Sequence, residues 1–96
     1  MKYIIQGKHV SVTEAMEEKA KKKLKKFEKF FRPDAETTVT FKVEKDRYIF
    51  EVSIYSGGTI IRAEESSNDM YTSIDLVIEK LERQIRKHKT KLGKKI

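Results

Sequence analysis

The sequence predicts an α+β fold of order β-α-β-β-β-α, a four-stranded sheet with two roughly parallel helices on one face. Three observations predict it. Two long segments repeat apolar residues at steps of three and four, two shorter ones alternate apolar and polar residues, and a Gly57-Gly58 pair follows the second of these. With 96 residues there is room for one hydrophobic core, so residues 1–96 are read as a single domain. Hydrophobic residues make up 38% of the chain, too many for a disordered segment, and charged residues 39%, well above the usual quarter.

Tyr3 to Gln6 is a short apolar stretch that ends at Gly7 and suits a first strand; Val10 and Val12 continue the alternation towards a helix start. Ser11-x-x-Glu14 fits a capping box, and Thr13 is an equally good cap. Met16, Ala20, Leu24, Phe27 and Phe31 then recur at steps of 4, 4, 3 and 4, one face of an α-helix. Glu14, Glu17 and Glu18 lie in its opening turns and lysines follow, the order that the helix dipole favours. Pro33 ends the helix, because the residue before a proline is pushed out of the α region. Thr37 to Glu44 alternates strictly, Lys45-Asp46-Arg47 is a polar turn, and Tyr48 to Tyr55 alternates again. Gly57-Gly58 predicts a two-residue type I′ turn, which needs positive φ at both positions, and Thr59 to Glu64 is the returning strand. Ser66, Ser67 and Asn68 offer caps before Asp69. Met70 or Tyr71, Ile74, Ile78, Leu81, Ile85, His88 and Leu92 then line one side of a second helix, with Gly93 as its stop and residues 93–96 expected to fray.

Strand directions follow from the connections. Short turns make the second, third and fourth strands an antiparallel meander, and a right-handed β-α-β crossover makes the first strand parallel to the second. Both helices then follow like-directed strands and run in the same sense, with their carboxyl-terminal halves at one end of the domain.

The charge pattern gives that arrangement a use. The chain is +7 overall, with 22 Lys and Arg against 15 Asp and Glu. Lys19 to Arg32 holds eight basic residues and one acid, Glu28; Lys80 to Ile96 holds eight and one acid, Glu82. Each block is therefore +7 and the remainder −7. Placed at 100° intervals, Lys22, Lys25, Lys26 and Lys29 face away from the first apolar stripe, with Lys21 and Lys23 beside it. Lys80, Arg83, Arg86, Lys87 and Lys94 face away from the second, with Lys91 nearer its flank. A single outward lysine face is ordinary solvation, but two converging faces with few interrupting acids suit a polyphosphate backbone. RNA-recognition-motif stacking patterns and a GXXG loop are absent, so recognition is expected through shape and phosphates.

Other chemistry finds little support. Without cysteine there is no disulfide, no thiol nucleophile and no Cys-containing zinc site, and the longest apolar run is three residues. His88 lies at a core-facing edge with no His, Cys or acid spaced to share a metal, and no P-loop, G-x-S-x-G or H-E-x-x-H occurs. A non-enzymatic, cytoplasmic protein without cofactor, metal, membrane or small-molecule substrate is expected. Tyr71 is expected on the sheet edge, Tyr55 on the open sheet face, and Leu76 outward on the second helix.

The run Asp69-Met70-Tyr71-Thr72-Ser73-Ile74-Asp75, continuing into Lys80-Leu81-Glu82-Arg83-Gln84-Ile85-Arg86-Lys87-His88-Lys89, closely resembles the ribosome hibernation-promoting factor family, which includes ribosome-associated inhibitor A. Gly7, Val10, Thr13-Glu14-Ala15, Phe41-Lys42-Val43-Glu44-Lys45 and Gly57-Gly58 also fit that pattern. The resemblance covers nearly the whole chain. It implies a fold similar to double-stranded-RNA-binding domains, and binding to the small ribosomal subunit and its rRNA in the decoding channel. There the domain would exclude mRNA and tRNA during starvation or stationary phase. By matching position it implies RNA contacts from Lys23, Lys26, Lys80, Arg83, Lys87 and Lys89; the helical wheel adds Lys22, Lys29, Arg86 and Lys91. Long members of that family add a carboxyl-terminal domain that pairs ribosomes, and the wording from Lys80 to Leu92 is similar to theirs, so an amino-terminal domain of a longer protein is expected. The rival readings are a generic structured-RNA binder and an interaction module for an acidic protein such as a sigma factor.

Overall fold

A computed structural model describes residues 1–92 and Ile96, with side chains through His88 and at Ile96. Strands β1 (Lys2–Lys8), β2 (Glu36–Glu44), β3 (Arg47–Ser56) and β4 (Thr59–Ser67) form one sheet in that spatial order. Helices α1 (Glu14–Leu24) and α2 (Met70–Leu92) cover one face of it. β1 pairs with β2 in parallel, while β2–β3 and β3–β4 are antiparallel, as the connections predict.

Period-two alternation decides what the helices bury. Val39 and Phe41 on β2, Phe50, Val52 and Ile54 on β3, and Ile61 and Ala63 on β4 are buried under them. From the helices come Met16, Ala20 and Leu24, and Ile74, Val77, Ile78, Leu81 and Ile85. Phe41 and Phe50 are directly opposite across β2–β3, their rings tilted with centroids 5.0 Å apart, a pairing that favours this register. Ile4, Tyr55 and Ile60 lie exposed on the open face. Gly57 and Gly58 have φ of +53° and +81°, so the type I′ turn is present and sets the β3–β4 register.

Several local expectations are corrected. Gly7 does not end its strand; it pairs with Phe41 inside β1, and a Cβ there would lie 2.5 Å from the Val10 carbonyl oxygen. The first helix does not stay α-helical to Phe31. After Leu24 it tightens into a 3-10 segment, Lys25–Phe30. Three residues per turn stack Leu24, Phe27 and Phe30 on the core side, and an extended Phe31 then turns its own ring into the core. Of the two caps the sequence offers, Thr13 serves α1 as one of the expected alternatives, its hydroxyl accepting from the Met16 amide at 3.2 Å. Asp69 caps α2 by accepting from the Thr72 amide at 3.0 Å, while the Ser67 hydroxyl donates to the Asp69 carbonyl. Ile96 is not frayed. It is buried, its amide donating to the Phe30 carbonyl at 2.9 Å and its carbonyl accepting from the Ser56 hydroxyl at 2.6 Å. The stop expected at Gly93 and the fraying of Lys94 and Lys95 lie outside the described residues.

One flank of α2 closes over the edge strand β4. Lys80 Nζ donates to the Glu64 carbonyl at 3.3 Å and Gln84 Nε2 to the Arg62 carbonyl at 2.9 Å. Increasing helix number against decreasing strand number shows that α2 runs antiparallel to β4.

Candidate nucleic-acid interface

The helices lie side by side in the same sense. Lys19 reaches Asp75 at 3.3 Å and, seven residues on in both segments, Lys26 reaches Glu82 at 3.4 Å. Equal steps in one direction require parallel helices. Their carboxyl-terminal ends therefore share one end of the molecule, where the negative ends of both dipoles favour cations. Glu14 and Glu17 occupy the first turn of α1 and Asp69 caps α2, so the opposite end is acidic.

At the basic end the seam opens into a cleft of about 260 Å³, lined by Lys26, Phe27, Lys29, Phe30, Glu82, Ile85 and Arg86. Its floor is aromatic and aliphatic and its rim cationic. Glu82 stands between two cations: Oε2 lies 3.4 Å from Lys26 Nζ and Oε1 lies 3.5 Å from Arg86 Nη2. The Lys29 ammonium sits 5.3 Å above the Phe30 ring centre. These ion pairs are solvated, and each contributes on the order of a few tenths of a kcal/mol.

The structure brings Lys26, Lys29 and Arg86 together from the two helices. The side chains of Lys22, Lys23, Arg83 and Lys87 are exposed and, among the described residues, make no hydrogen bond or ion pair. Lys80 is a correction. It is half-buried on the β4 flank rather than outward, and pairs with Glu65 at 2.8 Å, because the sheet edge supplies a carboxylate and a carbonyl within its reach. Lys26 and Arg86 are exposed as expected, but share Glu82 as counter-ion. The side chains of Lys89 and Lys91 lie outside the described residues. The Tyr71 ring is exposed and lies under the Lys19 ammonium, 5.3 Å from the ring centre. Tyr55 and Leu76 are exposed as expected.

Sequence reading missed the Lys19–Asp75 and Lys26–Glu82 pairs across the seam. The signal was present as two cations and two acids at the same seven-residue spacing, Lys19 and Lys26 against Asp75 and Glu82, but it has meaning only once the helix register is known. Among the described residues, no three His, Asp or Glu side chains gather as metal ligands, and no helix is long and apolar enough to cross a membrane.

A family model described as Sigma 54 modulation protein / S30EA ribosomal protein matches residues 3–93. A protein from Picosynechococcus named ribosome hibernation promotion factor is 42% identical over 99% of this chain, which spans 53% of that relative. A Bacillus subtilis protein of the same name is 41% identical, and 52% of it is covered. The chain thus spans about half the length of these relatives, but 97% of a Salmonella typhimurium ribosome hibernation promoting factor that is 38% identical. Among solved structures, a ribosomal subunit interface protein from Coxiella burnetii superposes with a TM-score of 0.82 at 29% identity, covering 94% of this chain and 99% of that one. The Thermus thermophilus Protein Y N-terminal domain has the same fold, with a TM-score of 0.80 at 21% identity, over 92% of this chain and 99% of that domain.

Proposed function

The chain belongs to the Sigma 54 modulation protein / S30EA ribosomal protein family, and from that premise we propose that it is a ribosome hibernation factor of the cytoplasm. It binds the small ribosomal subunit through rRNA phosphates, occupies the decoding channel, and inhibits translation by excluding mRNA and tRNA. The observation that carries this reading is the pair of parallel helices presenting cations at one end, Lys26, Lys29 and Arg86 around a cleft, with the exposed side chains of Lys22, Lys23, Arg83 and Lys87 on the same helical segments unpaired among the described residues. The names borne by relatives covering nearly the whole of this chain support it.

The mechanism needs no bond-making step. Lysines act as point charges towards phosphate oxygens, and the planar guanidinium groups of Arg83 and Arg86 fork onto two of them. Each phosphate neutralised releases a condensed counter-ion, so the driving force is largely ion release and depends on salt. A rigid sheet holds both helices at fixed spacing, so that the charge pattern matches a shaped groove rather than any one sequence. Ribosome pairing is not assigned to these residues.

The test is binding to empty small subunits, with mRNA and tRNA as competitors. Affinity is expected to fall on the order of a hundredfold between about 50 and 200 mM salt, for roughly four phosphate contacts, and both competitors should displace the protein. A flat salt response overturns the phosphate mechanism. Simultaneous binding with mRNA and tRNA overturns decoding-channel occupancy and leaves a generic RNA binder.

A further inference from the structure

The acid at the centre of the basic end is unusual for a surface built to meet phosphates. Glu82 is the one acid in the second basic block, and it lies in the cleft rather than on the far side of the helix. Its two oxygens go to cations on different helices, Lys26 and Arg86, at 3.4 and 3.5 Å. That is the arrangement a bridging phosphodiester would adopt, with each anionic oxygen held by one cation. Lys29, at the same rim, has no ion-pair partner among the described residues. With three cations and one carboxylate the cleft retains a net charge of +2, so an entering anion is attracted even while Glu82 is engaged.

We propose that the cleft is a discrete phosphate site for a nucleic-acid backbone, and that Glu82 holds the place of the phosphate in the free protein. The proposal rests on the nucleic-acid reading above and refines it. Both pairs are solvent-exposed, with 45% of the Glu82 side chain accessible, so the carboxylate can swing out to water at little cost. Before binding, Glu82 keeps Lys26 and Arg86 aimed at one point across the seam. On binding, the phosphate takes over both cations and Glu82 leaves. The price is affinity: the carboxylate competes with the phosphate for both cations. Glu82 therefore weakens binding in exchange for a pre-arranged site, and keeps two cations from trapping any passing polyanion.

The experiment measures binding of a short RNA hairpin and of empty small subunits to four proteins: wild type, E82Q, R86Q and the double variant E82Q/R86Q. E82Q is expected to bind both probes roughly threefold to fivefold more tightly at low salt, the size of one charge–charge term across water. R86Q should lower the log–log salt slope by about one. In the R86Q background the gain from E82Q should shrink by half or more, because the carboxylate then has one cation fewer to mask. Weaker or unchanged binding by E82Q, or an undiminished gain in the R86Q background, overturns the site while steep salt dependence of the wild type leaves the functional reading standing. Absence of salt-dependent binding to either probe overturns both. Far-ultraviolet circular dichroism and thermal melts of each variant confirm that the fold is retained.

Discussion

The hydroxyl of Thr37 is fully buried and, among the described residues, is the buried side-chain polar atom left without a hydrogen-bond partner. A polar atom in that position costs its desolvation with no return. Thr37→Val is therefore expected to raise unfolding stability by about 1 kcal/mol, seen as a higher urea midpoint at unchanged m-value. Tyr3 is the opposite case. Its hydroxyl donates to Glu28 Oε2 at 2.7 Å, tying β1 to the 3-10 segment. Burial, then the hydrogen bond, then the Glu28 charge hold the phenol well above its ordinary value of 10.0. Because the folded value is the higher one, this contribution is complete below pH 10 and is lost as pH rises towards the folded value. Tyr3→Phe should thus flatten the fall in stability above about pH 10, measured by urea unfolding across alkaline buffers. Neither residue showed its role in the sequence: Thr37 read as one more alternating strand position, and the partner of Tyr3 lies 25 residues away.

At the scale of elements, α2 divides its basic residues between two tasks that a helical wheel cannot separate. Lys80 and Gln84 serve the β4 flank, Arg86 serves the seam, and Arg83 and Lys87 are unpaired among the described residues. Arg83→Ala and Lys87→Ala should each lower the salt slope of small-subunit binding by about one. Lys80→Ala should leave that slope nearly unchanged and instead lower stability by about 0.5 kcal/mol, through loss of a half-exposed ion pair and a carbonyl contact. Binding isotherms at several salt concentrations, set beside thermal melts, separate the two effects; equal slopes for all three variants would contradict the division. The wheel placed Lys80 outward because it counts angle from the apolar stripe, and it has no knowledge of a strand edge reaching up beside the helix. The same limitation hid the 3-10 segment, in which three residues per turn replace the 3.6 on which the wheel was drawn.

For the molecule as a whole, the architecture was legible because each step rests on a strong local rule. Alternation gave β2 and β3, the paired glycines their turn with β4, and crossover handedness the direction of β1 and hence of both helices. The gathering of cations at one end follows from those directions. Which cations are free and which are engaged does not, since that depends on the register of the helices against each other and against the sheet. The flank contacts of Lys80 and Gln84 have a last effect on how molecules of this protein meet. Two carbonyls of the outermost strand are already occupied, and an ammonium and a carboxamide stand in front of them. A strand from another molecule seeking to extend the ladder there would first have to evict both, so this border resists fibril-like self-association although the strand contains neither proline nor bulge.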